Sequence, residues 1–370
     1  MLTAVPDLVR TLVAFAVVLG VLVFVHELGH YLAARWRGVK VETFSIGFGK
    51  AITSWTDRHD TVWKLAWLPL GGYVKMHGQE RPEDVPDAIR RSWIPGKTFQ
   101  EKSVLSRAII VAAGPAANFL LAMVVFAALF VAFGKPIMRP VVGDVLPGSA
   151  AEQAGLKVHD RIVSIAGQKI DTFETLQRIV MANPSRTLPV TVERDGADVT
   201  ASITPQSHEA AGKTVGVIGV RGGVVEYTPV SLPEALWSGV AQTWTVTSET
   251  VVGLTQIIGG TRNADELGGP LRIAQLSGQV AELGVSSLVT FIAVLSVNLG
   301  LINLFPIPVL DGGHLLFYLA EAIRGRPLPQ RAQEYGFRAG MALLAGLFVF
   351  ATWNDLTHLG LFHWVAGLIG

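Results

Sequence analysis

Hydrophobic and polar positions divide the chain into four long apolar stretches separated by mixed ones. Thr11–Val25 continues through His26-Glu27-Leu28-Gly29-His30 to Ala34, reaching the roughly 20 residues that a helix needs to cross a bilayer. Only Arg10 precedes it closely and no small-residue cleavage site follows, so it reads as a retained span rather than a signal peptide. A second run, Ala108–Phe133, is interrupted by Gly114-Pro115 and Asn118. A third extends from about Val285 to Phe305 and breaks at Pro306 and Pro308. The fourth, Ala339–Trp353, is short; beyond Asn354-Asp355 the apolar chain either extends that helix or lies along the membrane interface.

The mixed stretches predict other elements. Val41–Ile46, Ala51–Trp55, Val62–Leu68 and Gly71–Met76 have β character and glycine punctuation. They predict either a four-stranded sheet at the membrane surface or a plain hairpin covering the helix ends. From Ser149 the chain alternates short helical and strand patterns with glycine turns, through Asp160–Gly167, Thr175–Val180 and Leu188–Glu193. Ser231–Ile258 predicts an amphipathic helix, and Gly268-Gly269-Pro270 a break before the third span.

Composition sharpens this picture. At 50% hydrophobic and 16% charged, the 370 residues are too apolar for an ordinary soluble chain. A net charge of +1 without basic runs gives no pull toward nucleic acid. The absence of cysteine excludes disulfides and thiol chemistry, so any metal site is built from nitrogen and oxygen ligands. Thirteen lysines and arginines lie between Arg35 and Arg107, and Arg324, Arg326, Arg331 and Arg338 precede the fourth span. This bias places those loops in the cytoplasm and both termini, with residues 135–284, outside.

The candidate chemistry begins at His26-Glu27-Leu28-Gly29-His30. On a helix the two histidines fall about one turn apart on one face and can grip one ion, with Glu27 beside them to take a proton from water. Ionisable groups within a span are costly and usually functional; the competing reading has three polar residues snorkelling from a helix end near Arg35. A third ligand is required if one position is to stay open for water. Asp311, in Asn303-Leu304-Phe305-Pro306-Ile307-Pro308-Val309-Leu310-Asp311-Gly312-Gly313-His314, is the best candidate, because its span ends at the side where His26 and His30 lie. A capping aspartate is the alternative there.

The His26–His30 motif, Gly71–Met76, Ala113-Gly114-Pro115-Ala116-Ala117-Asn118, the pattern from Ser149 and Asn303–Gly313 together resemble the site-2 protease family of intramembrane metalloproteases, nearest its bacterial RseP group. The region from Ser149 resembles a bacterial PDZ domain, present once where the best-known RseP pattern has two, so a two-domain gating mechanism does not carry over. The resemblance implies Zn2+ on His26, His30 and Asp311, Glu27 as the catalytic carboxylate, and Asn303 holding substrate or the developing oxyanion. It also implies that Gly71, Gly72, Tyr73, Val74, Lys75 and Met76 form a strand pairing with unwound substrate. The implied partners are single-span membrane proteins such as anti-sigma factors or remnant signal peptides, the lipid bilayer, and a peptide ligand of the PDZ domain, which otherwise serves as spacer or steric gate.

The expected fold is a polytopic α-helical membrane protein of about four transmembrane helices, with a cytoplasmic-side membrane-associated β-sheet and one periplasmic PDZ domain. Its divisions are 1–36, the first span; 37–104, the β region and cytoplasmic loop; 105–134, the second span; 135–228, the PDZ domain; 229–284, an amphipathic helix and linker; 285–323, the third span with Asp311; and 324–370, a cytoplasmic loop, the fourth span and the tail. Two other functions fit part of the pattern. A membrane metalloprotease cutting juxtamembrane or soluble peptides would use the same ligands, and a noncatalytic adaptor would present the PDZ domain but leaves Glu27 unexplained.

Overall fold

The computed structural model describes residues 4–80, 85–210, 213–264 and 268–358. The chain forms two units: Met1–Leu129 with Leu236–Gly370, and Phe130–Ala235.

The first unit opens with α1, Ala4–Trp36. Asp7 in its first turn and Arg35 in its last complement the helix dipole. Gly38, at φ +73°, then turns the chain into β1, Val41–Thr56, which pairs antiparallel with β2, Val62–Met76. Both strands bend, and their register sets four segments side by side. Residues 43–46 are flanked by Val62–Leu65, which advance in step with them, and on the other side by Gly72–Lys75; residues 51–56 pair with the far side of Val62–Ala66. The two predicted arrangements thus merge, with four short segments arising from two continuous strands and Gly72–Met76 at an edge.

A short α2, Asp87–Arg91, precedes α3, Val104–Phe133, which runs unbroken through Pro115. In a membrane helix, neighbouring helices can satisfy the backbone groups that a proline frees.

The second unit contains β3 (Lys135–Val145), α4 (Ala150–Gln153), β4 (Arg161–Ile165), β5 (Gln168–Lys169), α5 (Phe173–Met181), β6 (Leu188–Arg194), β7 (Ala197–Ile203), β8 (Gln206–Ala210), β9 (Lys213–Val217) and β10 (Val220–Thr228). Its main sheet has the order β10-β3-β4-β6-β7, with β5 on β4 and β8–β9 as a separate hairpin. Alternation along β6 drives Leu188, Val190 and Val192 into a core with Val142, Ile162, Ile165 and Leu176. Ser149 and Thr172 cap α4 and α5, and buried Asp160 receives two hydrogen bonds from Arg194, at 2.7 and 2.6 Å.

The first unit resumes with α6, Leu232–Ile258. Its amphipathicity is inverted: Ser238 and Thr243 are buried while Trp237 and Trp244 are more than two-thirds exposed. Gly239 packs on the backbone of Met123 and Ala127 in α3. The predicted linker instead holds a further helix, α7, Pro270–Glu282, whose first amides donate to Asp355. The predicted third span divides into α8, Val285–Asn303, and α9, Asp311–Arg324. The last helix, α10, spans Gln330–His358 and begins earlier than Ala339, because its first turns are too polar to register as apolar. The chain beyond it, residues 359–370, lies outside the described residues, and with it most of the stretch expected to extend this helix or lie along the interface. Four helices, Asp7–Trp36, Val104–Phe133, Val285–Asn303 and Gln330–Thr357, are long and apolar enough to cross a membrane, which together with the sheets fits a membrane protein.

Candidate active site

Helical geometry stacks His26 above His30 on α1, with their Nε2 atoms 3.2 Å apart. Asp311 begins α9 and directs Oδ2 at both, 3.2 Å from His26 Nε2 and 3.4 Å from His30 Nε2. The predicted alternative of a capping role is not what this oxygen serves: it is buried and has no hydrogen-bond partner among the described residues. Four ligands held tetrahedrally at about 2.0–2.1 Å lie about 3.3 Å from one another, so this nitrogen and oxygen set fits zinc with a fourth position to spare. A buried carboxylate oxygen that faces two imidazole nitrogens and has no hydrogen-bond partner of its own among the described residues leaves negative potential that a cation relieves.

Each of these three side chains is placed by an unusually close helix contact. A side chain at residue 29 would meet Ala113 O at 2.2 Å, and one at 114 would meet His30 Nε2 at 2.3 Å, so glycine at both positions lets α1 and α3 touch. His30 Nδ1 then donates to Ile110 O at 2.9 Å, and the Asn118 amide lies 3.1 Å from His26 Nδ1. Asp311 is placed by the irregular segment Leu304–Leu310. Side chains at Gly312, Gly313 and Gly340 would strike Leu304 O, Ile307 O and Pro308 O at 2.2–2.4 Å, so the segment folds tightly against α9 and α10. Val309, β-branched yet at φ +152°, carries the resulting strain two residues before Asp311.

These groups face a cavity of about 1030 Å³. Of the predicted site residues, His26, Glu27, His30, Gly72, Tyr73, Val74, Met76, Asn303 and Asp311 line it. Gly71 and Lys75 do not: Gly71, at φ +151°, lies against the Phe48 ring, and Lys75 turns away to Glu42 at 3.1 Å. The strand and the helix are tightly seated, since a side chain at Gly72 would come within 3.0 Å of Glu27 Cγ. Farther along the cavity Arg107 pairs with Glu321 at 2.6 Å and lies over the Tyr318 ring, joining α3 to the helix that carries Asp311. Sequence reasoning missed Ile110, Arg107, Glu321 and His314 in this region. Gly114 and Asn118 were visible as parts of a motif, without a task.

The model of Peptidase family M50 matches residues 14–347, from α1 to α10. The chain belongs to peptidase family M50. A protein of Rhizobium meliloti named "Putative zinc metalloprotease R01501" is 45% identical over 369 residues, covering 95% of this chain and 98% of its own. Metalloprotease MmpA of Caulobacter vibrioides is 39% identical, covering 96% and 98%. Zinc metalloprotease RasP of Geobacillus kaustophilus is 32% identical, covering 95% and 98%. The M50 match takes in both halves of the polar cluster, His26–His30 and Asp311, together with the intervening second unit.

Proposed function

We propose that this M50 chain is a zinc-dependent endopeptidase that cuts single-span membrane proteins within their apolar segments. The observation that carries the reading is the triangle of His26 Nε2, His30 Nε2 and Asp311 Oδ2, with sides of 3.2–3.4 Å, in a cavity shared with Glu27. Zinc on these ligands would polarise a carbonyl and bring the pKa of bound water toward neutrality.

The chain's own residues do the rest. Glu27 accepts the water proton and passes it to the leaving amine. Asn303 directs its amide at the oxygen gaining charge. Helical peptide bonds are closed to attack, so the scissile segment is held extended along Gly72–Met76, which pairs with β1 on one side and, among the described residues, with no strand on the other. Burial alternates along that edge, with Val74 and Met76 inward and Lys75 outward, which fixes the strand beneath the substrate.

The excess of lysine and arginine in the loops supports an active site toward the cytoplasmic side of a bacterial inner membrane and a periplasmic second unit. The outward tryptophans of α6 are suited to lipid. In the second unit β10 ends its sheet, and Gly222 lies near Phe173 of α5, a strand-and-helix arrangement like that into which PDZ domains take extended peptides.

The deciding experiment is cleavage of tagged single-span substrates by the purified protein in bilayers, with cut sites mapped. Cuts within the apolar segment, slowed about 10²–10⁴-fold by Glu27→Gln while zinc is retained, are expected. Cuts confined to flanking residues would favour the juxtamembrane peptidase, and equal products from both proteins would remove Glu27 from the chemistry.

A further inference from the structure

We infer that Asn118 is the positioning residue for His26, fixing which ring nitrogen faces the metal. This rests on the three-ligand reading above and assigns a task to a residue outside the triangle.

Asn118 is wholly buried in α3, with no exposed surface. Ile110, Gly114 and Asn118 recur every four residues and therefore form one stripe facing α1. Each meets the histidines differently. Ile110 O accepts from His30 Nδ1, Gly114 makes room for the His30 ring, and the Asn118 amide faces His26 Nδ1. The two imidazoles are thus braced through the same nitrogen from the same helix, one by a carbonyl of the main chain and the other by a side chain.

A neutral imidazole that uses Nε2 as a ligand carries its hydrogen on Nδ1, and that hydrogen needs an acceptor. His30 has one in Ile110 O. For His26 the acceptor is within reach in Asn118 Oδ1, a buried oxygen with no hydrogen-bond partner among the described residues. The nitrogen and oxygen ends of an amide are nearly equal in size, and which end faces the ring is decided by the hydrogen-bond network. With Nδ2 toward His26 Nδ1, the ring's hydrogen would sit on Nε2, pointing into the triangle and blocking ligation. Turning the amide end for end lets Nδ1–H donate to Oδ1 and frees the Nε2 lone pair. Asn118 is held ready for this because Ser296 Oγ donates to its backbone carbonyl at 2.8 Å, tying this turn of α3 to α8.

The test measures zinc affinity of the full chain in detergent by competition with a chromogenic chelator, alongside the visible spectrum of the cobalt-substituted protein. Asn118→Leu keeps the volume and removes the acceptor; its zinc dissociation constant should rise about 10–100-fold. Asn118→Asp, which can accept but not donate when ionised, should stay close to wild type in affinity and cobalt spectrum. If leucine prevents folding, Asn118→Ala carries the same expectation. Unchanged affinity in the leucine or alanine variant, with wild type binding zinc, would overturn the inference alone. Equal losses in the aspartate and leucine variants would also overturn it, since the acceptor would then not be what matters. A wild-type protein that binds no zinc would remove the three-ligand reading and this one with it.

Discussion

The His30 ring lies where a side chain at residue 114 would project, 2.3 Å from that position to Nε2. Alanine is the better helix former by about 1 kcal/mol, yet Gly114→Ala should push the ring off its ligand position and lower bound zinc per protein, measured by atomic absorption on folded material. Gly20, on α1, has nothing within 4 Å of such a side chain, so Gly20→Ala should leave zinc content unchanged and serves as the control. Residues whose proposed task follows from one helix stood out in the sequence: His26, Glu27 and His30 are marked by their spacing within an apolar span. Gly114 and Asn118 were not, because their tasks depend on the register of α3 against α1, to which no local pattern points. Gly71 and Lys75 illustrate the same limit in reverse, since a strand's sequence does not say which residues turn toward a cavity.

Among the elements, the β1–β2 hairpin is fastened to the ligand-bearing helix at its turn. Burial pushes the Asp57 carboxyl up, but hydrogen bonds from Trp63 Nε1, the Thr61 and His59 amides and Tyr31 hydroxyl outweigh this and hold it at about 2, below its usual 3.8. Tyr31 follows His30 directly, so this clamp ties the sheet to α1. A depressed carboxyl pKa stabilises the fold fully above its unfolded value and loses that contribution as pH falls through the folded one. Protection of residues 51–66 against hydrogen exchange, taken relative to the intrinsic rate at each pH, should therefore fall between about pH 4 and about pH 2, and Asp57→Asn should be poorly protected already at neutral pH and lack that fall. The open edge yields a second expectation. Proline scanning of residues 73–76 should alternate: where the amide points into the sheet the hairpin loosens, and where it points outward folding and zinc are kept but cleavage is lost, as scored by exchange and substrate turnover. The four spans were readable because an apolar run of bilayer length rarely folds as anything but a membrane helix. The helix α7 was not, since Gly268-Gly269-Pro270 reads as a break and the amphipathic stretch after it is moderate. The division between α8 and α9 was signalled by Pro306 and Pro308, although the apolar composition on both sides suggested one span.

At the scale of the molecule, the second unit has its own core and the first unit holds the whole of the proposed metal centre. Residues 130–235 made alone should unfold cooperatively at a temperature that a zinc chelator does not move. In the full chain, the first unit should lose several degrees on chelation, because a ligand at 100 times its dissociation constant contributes about 2.7 kcal/mol; calorimetry with and without chelator separates the two transitions. Deleting residues 140–225 asks what the second unit contributes to selection: cleavage of untrimmed substrates by the shortened protein would identify a size gate, while unchanged selectivity would leave peptide capture.

The three donor side chains come from the two ends of the chain, with His26 and His30 on the first helix and Asp311 on the ninth. During synthesis, the first helix leaves the ribosome long before Asp311 exists, an interval of about 15 to 60 seconds at ~5–20 residues per second. Throughout that time the nascent chain holds only two of the three proposed ligands, beside a membrane that receives other newly inserted segments. On the proposed ligand set, completion of the polypeptide is itself the arming step, and a product truncated before the ninth helix would be born without the means to cut.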